Sequence, residues 1–301
     1  MTDRHAGEPG AAPRFRHPEA ICGTATLATR LEDPRLRVFD CTTWLRADSE
    51  DDPYRVDSAL PEYRLGHVPG SAYLDLQADL SDPAAKYRFT MPDPDRLAAA
   101  FGRHGIGEDT DVVLYSRGSP QWAARVWWML RAIGFDRAAI LDGGWEKWER
   151  EGRPVRAGDE RYPPATLQAR PRPGLFVDAA AVLAAIDDPD TRIVNALGPD
   201  AHAGRSRRYG RPGRIPRSVN VPATSLRDPE TLELLAPDAA AAAFTAAGID
   251  TRAPTIFYCG GGIAASLGAF MLHQLGNDRV AVYDNSLNEW ASDPALPIER
   301  D

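Results

Sequence analysis

One cysteine in this chain stands where its neighbours could make it reactive. In Thr255-Ile-Phe-Tyr-Cys-Gly-Gly-Gly-Ile-Ala-Ala-Ser266 an apolar run ends at Cys259, three glycines follow, and a helix-forming segment begins. The pattern predicts a buried strand, a tight turn and a helix. In an open parallel sheet, that carboxyl-end turn is where ligands bind. Gly260, Gly261 and Gly262 let the backbone curl so that successive N–H groups converge into an anion-binding nest, and the helix N-terminus adds partial positive charge. A thiol in that field is favoured as thiolate, the nucleophilic form. A cysteine after a strand is ordinarily an inert small hydrophobe. The glycine cradle counts against that here, as does the serine, Ser116, at the matching turn of the first half.

The chemistry open to a cradled thiolate can be narrowed. Cysteine-dependent phosphoryl transfer uses C-x5-R so that an arginine clamps the oxyanion. The sixth residue after Cys259 is Ala265, and no arginine occurs before Arg279. No histidine is placed near the thiol by the sequence, so a Cys–His protease pair does not stand out. A carrier of sulfane sulfur needs only a thiolate and N–H donors around a persulfide anion, which this loop offers. Cys41 lacks a glycine cradle and is expected to be buried and unreactive, whereas Cys22, near the N-terminus, is expected to be exposed. Trp122, Trp127 and Trp128 share one predicted helix and suit core and interdomain packing. No grouping has metal-ligand spacing, no phosphate-binding G-x-x-x-x-G-K-[ST] loop occurs, and no cofactor is required.

The elements that must position Cys259 come in two matching sets. Phe101-Gly-Arg-His-Gly-Ile106 matches Phe244-Thr-Ala-Ala-Gly-Ile249, and Val113-Leu-Tyr-Ser116 matches Ile256-Phe-Tyr-Cys259, each 143 residues apart. Asp142 and Asp284, and Trp148 and Trp290, lie 142 apart, and Gly66-His-Val-Pro-Gly-Ser71 answers Gly213-Arg-Ile-Pro-Arg-Ser218. Matches in chain order with nearly constant spacing indicate a duplicated domain. Within each half, short apolar runs alternate with helical patterns, as a mostly parallel α/β sheet with helices on both faces requires. The expected organisation is a loose N-terminal tail over 1–24, a first domain over 25–151, a proline-rich linker over 152–174 and a second domain over 175–301.

Composition sets the outer limits. The 301 residues are 43% hydrophobic and 26% charged, which excludes a mainly disordered or fibrous chain. A formal charge of -8 argues against a dedicated nucleic-acid binder. Three cysteines without a C-x-x-C pair suit a reducing, cytoplasmic setting. The N-terminus lacks the apolar core of a signal peptide. The uncharged stretch from Ala253 to Asn277 is interrupted by Pro254 and the three glycines, so it fits a buried strand-loop-helix rather than a membrane span.

Taken together, Arg37-Val-Phe-Asp-Cys41, Gly66-His-Val-Pro-Gly70, Arg125-Val-Trp-Trp-Met129, Leu141-Asp-Gly-Gly-Trp145, Gly213-Arg-Ile-Pro216, Cys259 to Ala265 and Tyr283 to Trp290 resemble the tandem-domain rhodanese family. That family includes thiosulfate and 3-mercaptopyruvate sulfurtransferases, and the resemblance runs from about Ala25 to Glu299. It implies two rhodanese-like domains. The first would be a catalytically inactive copy that helps form the cleft, and the second would carry a persulfide on Cys259 at the mouth of the loop Cys259-Gly260-Gly261-Gly262-Ile263-Ala264. The implied partners are a small anionic donor, thiosulfate or 3-mercaptopyruvate, and cyanide or a thiol as acceptor, with no nucleic acid or membrane. The sequence departs from the family in the loop, where Gly261 supplies no hydroxyl and no residue is basic. It departs again at Asn195-Ala-Leu197 and Ala201, where the family usually places substrate-binding arginines. Arg211 and Arg214 are then the expected anion binders, and His67 is expected beside the cleft. The alternative function is a non-catalytic persulfide carrier or interaction module in a sulfur relay.

Overall fold

The computed structural model describes residues 14–49 and 51–301. Each half is built on a five-stranded parallel sheet, and the two sheets have the same topology. The first runs Ile21–Cys22, Ala138–Leu141, Asp111–Tyr115, Leu36–Asp40, Ala72–Tyr73 from edge to edge. The second runs Phe176–Val177, Val280–Tyr283, Thr255–Tyr258, Arg192–Asn195, Val219–Asn220. Asp111–Tyr115 and Thr255–Tyr258 occupy the central position and are almost wholly buried, as strands covered on both faces must be. The first half adds an antiparallel hairpin, Thr43–Arg46 with Arg55–Ser58, which has no counterpart among the described residues of the second.

The halves meet through equivalent helices. Gln121–Ala132 packs against Ile263–Gln274, with the Trp127 and Phe270 rings edge to face at 4.8 Å. Trp122, Trp127 and Trp128 are all buried in this packing. Ile263–Gln274 is enclosed by the second sheet on one side and the first-domain helix on the other. It is therefore buried almost all round rather than amphipathic, which accounts for the uncharged stretch. Among the described residues, no helix is long and apolar enough to cross a membrane.

Two expectations about the chain ends of the domains change. Residues 1–13 of the expected tail lie outside the described residues. From Pro18 onward the chain is ordered into a short 3₁₀ turn, and Ile21–Cys22 then joins the sheet beside Ile140 and Leu141. Cys22 is consequently buried, not exposed, and burial pushes its thiol up. A two-residue edge strand has too little periodicity to be read from sequence. The proline-rich segment is extended but strapped to the first half. Arg156 and His67 exchange backbone hydrogen bonds, and the Ala165 N–H donates to the Gly102 carbonyl at 2.8 Å.

The segment before the first strand also docks on the second half. The Arg16 N–H donates to the Gln274 carbonyl at 2.7 Å, and His17 stacks on His273 with ring centres 4.2 Å apart. Asp278 completes a group with these two histidines. The ring planes are only 13° apart, so their in-plane lone pairs run side by side rather than converging on an ion. Burial, then Arg131 and His17, push His273 from 6.5 down to about 4. The unfolded chain therefore binds more protons between these values, and stability falls as pH drops from 6.5 towards 4. The loss is on the order of 3 kcal/mol. A His273→Gln variant is expected to show a smaller drop in Tm between pH 7 and pH 4.5 than the parent. An equal drop would remove His273 as the cause.

Candidate active site

Cys259 follows the central strand of the second sheet directly, and its loop is held from several directions. Its N–H donates to Ser286 Oγ at 3.0 Å, and its carbonyl accepts from the Leu287 N–H at 3.1 Å. The Gly260 carbonyl accepts from the Asn288 N–H at 2.9 Å. The carbonyls are thus turned towards the helix Ser286–Trp290. Among the described residues, the N–H groups of residues 260–264 have no protein acceptor. These donors stand at the start of the twelve-residue helix Ile263–Gln274, where the anion-binding nest is expected.

The glycines are required by their neighbours. Gly262 has φ +78°, and a Cβ there would stand 2.6 Å from the Asp284 carbonyl oxygen and 2.8 Å from Arg125 Nη1. A Cβ on Gly260 would stand 2.5 Å from Cζ and Oη of Tyr209, whose ring lies directly on the loop. Burial first, then the Cys259 sulfur, push the Tyr209 phenol well up, so it stays protonated beside the thiol.

Cys259 is only 3% exposed and lies at the base of a cleft of about 400 Å³ between the two halves. Gly260, Gly261, Ile263 and Ala264 line the cleft with it, whereas Gly262 is turned towards Arg125 and Asp284. The opposite wall comes from the first half, through Leu45 and Val56 of the hairpin, Tyr54 in its turn, the run Lys86 to Phe89, and Gln121. Leu197, Arg208, Tyr209 and Asn288 complete it. Lys86, Arg88 and Arg208 are among the residues that line the cleft, and none of its lining residues is an Asp or Glu.

Other residues expected at the site lie elsewhere. Arg211 is held by the carbonyls of Trp290, Ala291, Asp293 and Leu296. Arg214 is paired with Glu299 and Asp301 and donates to the His202 carbonyl. Both arginines pin the C-terminal segment to the second domain, and neither reaches the cleft. His67 is fully buried, stacked on Tyr63, with Nδ1 2.9 Å from the Tyr63 carbonyl and Nε2 3.4 Å from Glu160. It fixes its own turn. Conversely, Arg88, Tyr54 and Tyr209 were not singled out by sequence. Tyr209 stands inside the arginine-rich run Arg205-Ser-Arg-Arg-Tyr-Gly-Arg-Pro-Gly-Arg214, but nothing local marks it as the residue that lies on Gly260.

The matching turn of the first half is closed on itself. Ser116 Oγ donates to the Ser119 carbonyl at 2.6 Å, and Arg117 fills the space by pairing with Asp40 and stacking over Trp145. Cys41, nearby, is fully buried, and burial followed by Asp40 pushes its thiol well up.

The sequence and fold match known proteins throughout. The Rhodanese-like domain family matches residues 24–151 and again residues 178–293. The 3-mercaptopyruvate sulfurtransferase of Escherichia coli K12 is 30% identical over 280 residues, covering 92% of this chain and 96% of the relative. The rat protein of the same name is 32% identical, covering 93% and 94%. A crystal structure of an E. coli 3-mercaptopyruvate sulfotransferase superposes with a TM-score of 0.77 at 29% identity, over 89% of this chain and 98% of the other. The duplicated sheets, the cleft between them and these matches agree, and the chain belongs to the tandem rhodanese-like sulfurtransferases.

Proposed function

We propose that Cys259 carries sulfur as a persulfide, taken from a small anionic donor, with 3-mercaptopyruvate ahead of thiosulfate. One observation carries the reading: the Cys259 thiol lines an interdomain cleft, and among the described residues the backbone N–H groups of its loop have no protein acceptor. The names of the relatives at 30% and 32% identity support the choice of donor.

The Cys259 thiolate attacks the thiol sulfur of 3-mercaptopyruvate. An S–S bond forms and the C–S bond breaks, its electron pair leaving on the pyruvate enolate, which is then protonated to pyruvate. With thiosulfate, the S–S bond breaks instead and sulfite leaves. The outer sulfur now bears the charge, and the N–H groups of residues 260–264 are placed to receive it as an oxyanion hole receives oxygen. Cyanide or a thiol then attacks that sulfur and releases the Cys259 thiolate. Each step is a two-electron displacement and needs no external oxidant. The three cysteines are unpaired, in keeping with a reducing, cytoplasmic setting.

Mass spectrometry after treatment with each donor tests the reading. The expected result is a gain of one sulfur atom on the peptide containing Cys259, removed by cyanide with formation of thiocyanate. Absence of the gain with both donors, while the thiol remains open to alkylation, would overturn it. The ratio of kcat/KM for the two donors then decides between them.

A further inference from the structure

We propose that the Tyr209 phenol donates a hydrogen bond to the sulfur of Cys259, first in the thiolate and then in the persulfide, and so supplies a hydroxyl that the loop itself lacks. The contact with the outer sulfur rests on the persulfide chemistry inferred above; the contact with the thiolate does not. Residues 260–264 are Gly, Gly, Gly, Ile and Ala, so no side chain of the loop can donate to an anion. Any donor other than backbone N–H must therefore reach the sulfur from another element.

The hydroxyls that the loop backbone engages have already given their protons away. Ser266 Oγ donates to the Gly262 carbonyl at 2.7 Å. Ser286 Oγ donates to the Tyr283 carbonyl at 2.7 Å while it accepts the Cys259 N–H. On the cleft wall from the first half, Tyr87 Oη is paired with Ser292 Oγ at 3.0 Å. A hydroxyl has one proton, so Ser266 and Ser286 have none left for the sulfur. Tyr209 differs. Its side chain is half-buried and lines the cleft with Cys259, yet among the described residues its Oη has no hydrogen-bond partner.

Placement agrees. A Cβ on Gly260 would stand 2.5 Å from both Cζ and Oη of Tyr209, so the hydroxyl-bearing end of the ring covers the residue next to Cys259. The neighbouring residues hold it there. Arg208 donates to the Asp52 and Ser49 carbonyls at 2.7 and 3.1 Å and lies over the Tyr54 ring at 4.1 Å, and Gly210, at φ +103°, turns the chain that follows. The first half thus fixes the position of a donor that the second half carries. Burial first, then the Cys259 sulfur and Tyr54, keep the phenol protonated, with Arg208 acting in the opposite sense. Lys86 and Arg88 are the other charged residues lining the cleft. A phenol that keeps its proton serves as a donor to a sulfur anion, and such charge-assisted bonds are the strong ones. No proton is transferred, so both displacement steps balance as written.

The test uses the full chain and two readouts. Tyr209→Phe keeps the ring on Gly260 and removes only the O–H, so Tm is expected to stay within a few degrees of the parent. The first readout needs no sulfur transfer: the rate at which neutral iodoacetamide alkylates Cys259 is followed against pH. In the variant the profile is expected to move to higher pH by about one pH unit with its alkaline plateau unchanged, because loss of a donor disfavours the thiolate without altering access. The second readout is steady-state transfer from 3-mercaptopyruvate to cyanide. There kcat is expected to fall about tenfold to a hundredfold, with KM within about threefold. An unchanged alkylation profile overturns the contact. Equal slowing at every pH also overturns it, since that marks altered access and not a lost hydrogen bond. A displaced profile with unchanged kcat overturns the part of the phenol in transfer. A displaced profile where the parent enzyme forms no persulfide keeps the contact with the thiolate and removes the persulfide reading alone.

Discussion

Cys259→Ser is expected to reduce sulfur transfer from either donor by at least ~10⁴-fold, to the background of the thiocyanate assay, as removal of a covalent nucleophile does. A serine hydroxyl is not ionised at neutral pH and forms no persulfide, so both half-reactions are lost together. The fold should survive. The side chain makes no hydrogen bond that the loop depends on, since the turn is fixed through the backbone N–H and carbonyl of residue 259 and through Gly260. A Tm within a few degrees of the parent would separate loss of chemistry from loss of structure. The other two thiols offer no bypass. Cys22 and Cys41 are buried, and burial holds both in the protonated state. Residual turnover above background in Cys259→Ser, or a persulfide recovered on Cys22 or Cys41, would contradict this assignment of the nucleophile.

The location of the thiol was legible because the order of elements around it is written in one short run. A buried four-residue strand, the cysteine, three glycines and a helix follow one another, although the groups that crowd the glycines, Tyr209, Asn288, Asp284 and Arg125, come from elsewhere in the chain. The duplication was legible for the same reason, since turn residues recur at fixed spacing. It runs deeper than the sequence alone discloses. Asp284 accepts the Met91 N–H at 2.7 Å, and Asp142 accepts the Leu234 N–H at 2.8 Å, so equivalent aspartates at the ends of equivalent strands each clamp a loop of the opposite half. The cationic residues that line the cleft were not legible. Arginine is abundant in this chain, and its role depends on which acceptors the tertiary fold supplies. Arg211 sits beside proline in a conspicuous run, yet four carbonyls from residues 290–296 surround it. Arg88 has no local mark, yet the hairpin turn brings it to the cleft. His67 shows the same limit, because a turn motif does not say whether an imidazole faces solvent or, as here, a tyrosine ring.

The two aspartate clamps differ in one respect, and the difference yields the second large effect. Arg125, fully buried in the helix Gln121–Ala132, reaches across the interface and donates to Asp284 Oδ1 at 2.5 Å and to the Phe89 carbonyl at 2.7 Å, and it lies over the Phe176 ring at 4.7 Å. At the 142-residue spacing its counterpart is Leu267, so only the half that bears Cys259 has a buried cation behind the cysteine loop. Among the described residues, Nε and Nη1 have no hydrogen-bond partner, and Nη1 lies beside Gly262. Arg125→Leu would leave the largely buried Asp284 carboxylate without its cation, at a cost of about 3–5 kcal/mol. For domains of this size that lowers Tm by roughly 6–20 °C. Turnover is expected to fall as well, because the contact with the Phe89 carbonyl holds the cleft wall containing Arg88, and the guanidinium supports the last turn of the loop. An Arg125→Leu/Asp284→Leu double variant separates the two effects. Removing both charges is expected to recover part of the lost stability, since an apolar pair replaces a buried ion pair at little cost. Activity should stay low, because neither leucine can anchor the Phe89 carbonyl or the Met91 N–H. Recovery of kcat/KM together with Tm would show that Arg125 serves stability alone, and an unchanged Tm in Arg125→Leu would show that the interface does not rely on this ion pair.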